Sequence, residues 1–103
     1  EPRRYEWEIG TLIVPPNGWF HQHFNSGVTP ARYLAFKHGS QRNAQGVMMC
    51  WISRRLGGDQ LDYADESPFI PAQFESALAR NGLESRMAPV YAKELETLPP
   101  KPA

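Results

Sequence analysis

The run Pro15-Pro16-Asn17-Gly18 stands directly ahead of Trp19-Phe20-His21-Gln22-His23-Phe24-Asn25-Ser26. This coupling of a turn to an alternating segment restricts the fold more than any other stretch of the chain. Proline presets its own φ and Asn-Gly accepts positive φ, so the first four residues reverse the chain. In an extended segment successive side chains point to opposite sides. His21, His23 and Asn25 therefore share one face, and Phe20, Gln22 and Phe24 the other. Two imidazoles on one face can converge on a metal ion, and the phenyl rings behind them are suited to burial.

The same period recurs on both sides of that segment. Over residues 3–9, Tyr5, Trp7 and Ile9 alternate with Glu6 and Glu8, the pattern of a half-buried strand. Residues 11–14 are a short apolar run suited to a buried strand. Residues 32–38 place Leu34 and Phe36 opposite Tyr33, Ala35 and Lys37. A hairpin closed by the Ser26, Gly27 and Pro30 loop would set Ala35 beside His21 and Tyr33 beside His23. Asn25 is expected to cap that turn through its side chain. Residues 47–53 and 60–63 are strand-like and are separated by Gly57-Gly58. Over residues 72–80 the period becomes helical, with Phe74, Ala77 and Leu78 as the apolar stripe and Asn81-Gly82 as the stop. The tail from Met87 carries Pro89, Pro99, Pro100 and Pro102, and its end is expected to be a poorly ordered or PPII-like extension. The expectation is an all-β chain with one helix near 71–81, a domain over residues 1–88 and a Pro-rich extension over 89–103.

At 103 residues the chain suffices for one domain. Eleven basic residues balance eleven acidic ones, so no net charge draws it to nucleic acid or to an anionic membrane. No apolar run is long enough to span a bilayer. The lone Cys50 excludes an internal disulfide and a cysteine-based zinc cluster. Glu1 in place of Met predicts a processed or trimmed chain. Asp59, Asp62, Asp65 and Glu66 lack the spacing of a calcium loop and are expected to form a solvated charge run.

From Gly10 to Asn25 the chain satisfies G-x5-P-x-G-x2-H-x3-N at Gly10, Pro16, Gly18, His21 and Asn25. This resembles the second signature motif of the cupin superfamily, and residues 32–35 and 62–66 resemble stretches in the C-terminal half of larger bacterial cupins. The resemblance implies a compact jelly roll, with the motif histidine at His21. The first cupin motif, with its own His-x-His and glutamate, is absent, so the usual ligands cannot all come from their usual places. His23 and His38 are the candidates to complete the set, with Gln41 and Gln45 as weaker oxygen donors.

Neutral imidazoles suit zinc, copper, iron and nickel. Without a glutamate after the histidine segment, copper is favoured over iron or manganese. The chain is similar to compact single-copper cupins that cleave cellulose oxidatively. That likeness implies an oxidoreductase that uses a reductant with peroxide or oxygen, and an extracellular location. In this reading His21, His23 and His38 bind the metal, Tyr33 tunes or protects it, and Trp19, Tyr5 and Trp7 position the polysaccharide through their ring faces. The alternatives are an iron or manganese cupin acting on a small aromatic or organic acid, and a binding module without chemistry. Open strand edges and zero net charge predict a homodimer.

Overall fold

The structure, a computed structural model, describes residues 1–36 and 51–103. Two α-helices organise it, α1 (Phe69–Arg80) and α2 (Ala88–Thr97), with 3-10 turns at Arg54–Leu56 and Tyr63–Asp65. The helix expected near 71–81 is α1. Pro71 falls in its first turn, where a backbone N–H would have no partner within the helix. It ends in a Schellman arrangement. Gly82, at φ +68°, donates to the Ala79 carbonyl, and Leu83 donates to that of Leu78. Ala77 and Leu78, from the predicted stripe, are the buried apolar side chains among the described residues.

The all-β jelly roll does not form. No strand occurs among the described residues, and the β pairing there is an isolated parallel bridge between Ser53 and Gln60. The alternation in residues 3–9, 19–25 and 32–36 marks faces ready for burial, but a sheet also needs a ladder partner for each segment. Turns cut the N-terminal region into short pieces. Thr11 N–H closes one on the Glu8 carbonyl at 3.0 Å, and Trp19 N–H closes the next on that of Pro16 at 3.1 Å. In the second, Gly18 takes φ +81°, as the third position of a type II turn requires.

The N-terminal segment is instead held by α1. Arg4 Nη1 donates to Gln73 Oε1 at 3.0 Å, and Asn81 Nδ2 donates to the Ser26 carbonyl at 2.8 Å. The Phe24 ring packs on Phe74 with centroids 4.8 Å apart. Asn25 caps the following loop as expected, accepting from Gly27 N–H and donating to the Thr29 carbonyl.

The C-terminal region adds a helix that the sequence reading does not contain. Where a Pro-rich extension was predicted, residues 88–97 are helical, because Pro89 lies in the first turn of α2 and costs it no hydrogen bond. The acidic run is not simply solvated. Asp62 is buried and accepts from Ser53 Oγ. Asp65 takes a bidentate pair from Arg55 Nε and Nη2, both at 2.7 Å, while Arg55 Nη1 donates to the Pro99 carbonyl. From α2, the Glu94 carboxylate accepts the N–H groups of Tyr63 and Ala64. These contacts latch the tail onto the acidic turn. No helix among the described residues is long and apolar enough to cross a membrane.

The latch predicts a stability maximum in mild acid. Hydrogen bonding from Arg55 holds the Asp65 carboxyl below the usual carboxylate range, so its contribution is present above about pH 4 and drains away as pH falls further. Burial, reinforced by the Glu94 charge, pushes the Glu66 carboxyl upward. Its contribution is therefore full below its ordinary value, about pH 4.3, and is lost as pH rises through the folded value. Urea midpoints measured across this range should rise and then fall as pH is lowered. Asp65→Asn should flatten the acid limb and Glu66→Gln the limb toward neutrality.

Candidate functional site

His21 and His23 emerge from the turn that Gly18 closes, on a segment pinned through Phe24 and Ser26 to α1. Their ring centroids lie 5.6 Å apart with planes at 83°. Tyr33 stacks on His23 at 4.4 Å and 24°. Trp7 meets both rings edge-on, 6.4 Å from His23 and 6.2 Å from Tyr33. The neighbour relation between Tyr33 and His23 is the one a hairpin would give, here made by ring packing without a sheet. Both histidines are exposed, and neither makes a hydrogen bond among the described residues. Among the described residues nothing occupies their nitrogens.

An open cavity of about 670 Å³ lies between this segment and α1, lined in part by His21, His23, Trp7, Trp19, Arg3 and Gln73. Tyr5 lines it as well and is exposed. Trp19, also exposed, carries the Arg3 guanidinium over its ring at 5.4 Å, leaving the other face for contact. Trp7 is half-buried within the His23–Tyr33 cluster, so of the three proposed positioning rings it has the least exposure. His38, Gln41 and Gln45 lie outside the described residues.

The chemistry of the pair fits a metal ion in part. Two imidazoles sharing one ion have ring centroids at most about 6.3 Å apart, given metal–nitrogen bonds of about 2.0 Å, and the 5.6 Å separation lies within that limit. Among the described residues no group of three His, Cys, Asp or Glu side chains could hold an ion. The described donors are thus two nitrogens, a set that suits copper, nickel or zinc better than a hard ion seeking oxygen.

Several contacts at the site could not be anticipated from local pattern. Gln73 and Asn81 reach it across 69 and 55 residues of sequence, and neither carries a motif. Arg54 lies 5.2 Å above the Phe20 ring, a contact that is also distant in sequence though less so. Comparison of the chain with models of protein families, with characterised proteins and with solved structures finds no match.

Proposed function

We propose that the protein is a mononuclear copper oxidoreductase that cleaves cellulose or a related polysaccharide oxidatively, with a reductant and peroxide or oxygen. The observation that carries this reading is the imidazole pair 5.6 Å apart with Tyr33 stacked on His23. The spacing of Gly10, Pro16, Gly18, His21 and Asn25 resembles the cupin motif, although no strand of a jelly roll forms among the described residues. His21 and His23 would hold the ion, with His38 as the third donor. Copper supplies one-electron chemistry when bound. Tyr33, stacked on the His23 ring with Trp7 edge-on to both, would tune or protect the metal. Tyr5 and the open face of Trp19 offer apolar surfaces against which an uncharged sugar ring can lie.

Copper-loaded protein should give an electron paramagnetic resonance spectrum with nitrogen coupling. His21→Ala or His23→Ala should remove part of that coupling and weaken copper binding at least tenfold. With reductant and peroxide, the wild type should release oxidised oligosaccharides from cellulose, and both variants should not. Copper coupling that is unchanged in both variants, or cellulose that yields no oxidised product, would sink the proposal. Protein purified without added metal that carries iron or manganese would point to the acid-oxidising alternative instead.

A further inference from the structure

The two helices are held by contacts of different kinds. Helix α1 buries Ala77 and Leu78 and carries the tethers of the N-terminal segment at Gln73, Phe74 and Asn81. Helix α2 buries no residue, and among the named elements it packs on the 63–65 turn alone. Tyr91 and Glu94 are the two residues of α2 that are not exposed. They lie three apart, on one face, and both dock on that turn. The Glu94 carboxylate spans the Tyr63 and Ala64 N–H groups at 2.9 and 3.0 Å, and the Tyr91 ring meets Tyr63 edge-on at 5.5 Å. Past the helix, the Pro99 carbonyl accepts from Arg55 Nη1 at 2.7 Å. Each of these contacts ends on residues 55–65.

We propose that α2 and the residues after it form a strap that leaves the 63–65 turn as one unit while α1 keeps its hold on the N-terminal segment. A region with few buried apolar contacts opens at lower cost than a core, and it opens cooperatively where one set of contacts holds all of it. Both conditions are met. Loss of the Tyr91–Glu94 face frees the whole helix, and Arg55 is then the remaining hold on the tail. The end of α1 does not depend on the strap, because its last carbonyls are already taken by Asn81, Gly82 and Leu83. No residue beyond Ala77 lines the cavity beside His21 and His23, so the cavity persists with the strap open. The proposal does not rest on the copper chemistry.

Amide hydrogen exchange of the full chain, followed residue by residue by NMR, tests it. The α2 amides should be protected and share one protection factor, at least about tenfold below that of the slowest α1 amides. Urea below the unfolding transition should speed α1 exchange with the full slope of global unfolding, and α2 exchange with a markedly smaller one. Glu94→Ala removes both hydrogen bonds to the turn while favouring helix in α2. It should speed α2 exchange about tenfold and change α1 by no more than about twofold. Lys93→Ala, at an exposed position of the same helix, should leave both helices within about twofold. A common protection factor and a common urea slope for the two helices overturn the proposal, as does an α2 with no protection. Glu94→Ala that speeds both helices equally, or neither, overturns it too. If that variant does not fold, the wild-type slopes decide, and equal slopes are the overturning result.

Discussion

Leu78→Ala is expected to lower unfolding free energy by about 2–4 kcal/mol, the range for a buried leucine truncated beside a rigid neighbour. Leu78 is 5% exposed and its neighbour Ala77 6%, and among the described residues these are the buried apolar side chains. So thin a core has little redundancy. The loss also spreads, because α1 carries the tethers of the N-terminal segment at Gln73, Phe74 and Asn81. The helix stop is not removed directly, since the carbonyl at position 78 that accepts the Asn81 and Leu83 N–H groups is main chain. Urea denaturation is the measurement, with Leu95→Ala as a control. Leu95 is 65% exposed and should cost less than about 0.5 kcal/mol. A Leu78→Ala loss no larger than the control's would show that α1 is not the scaffold of this chain.

The parts of the molecule legible in sequence are those decided locally. Helix α1 followed from the spacing of Phe74, Ala77 and Leu78, and its end from Asn81-Gly82. The Asn25 cap and the turn ahead of Trp19 followed from the chemistry of Asn, Gly and Pro. The sheet was misread because alternation reports which side of a segment is apolar and not whether another backbone lies alongside it. Helix α2 lies within the segment read as a Pro-rich extension, and Pro89 fits its first turn because proline there removes only a donor the helix does not use. Burial of Asp62 and the grip of Arg55 on Asp65 depend on how residues 53–65 fold back. The candidate site divides in the same way. The two histidines and their Tyr33 neighbour are readable from a period of two, whereas Gln73, Asn81 and the edge-on Trp7 are set by long-range packing.

Ser53→Ala is expected to destabilise the chain by about 1–3 kcal/mol, the cost of stripping a buried polar group of its partner. Ser53 is 9% exposed and Asp62 5%. The Ser53 hydroxyl donates to the Asp62 carboxylate and accepts the Arg55 N–H at 3.1 Å. Its removal leaves a buried carboxylate without that donor and uncaps the 3-10 turn Arg54–Leu56 at once. The turn is what aims Arg55 at Asp65 and at the Pro99 carbonyl, so the damage should extend to the tail latch as faster amide exchange in α2. A double-mutant cycle separates this account from mere loss of packing. Replacing both partners, Ser53→Ala with Asp62→Leu, removes the stranded charge along with its donor. The double variant should therefore be no less stable than Ser53→Ala alone, because an apolar pair of similar size can be nearly neutral where a half-satisfied pair is not. Urea midpoints of the four proteins supply the numbers. If the two substitutions simply add, Asp62 does not depend on Ser53, and the acidic turn must be held by the Arg55–Asp65 pair and Glu94 without it.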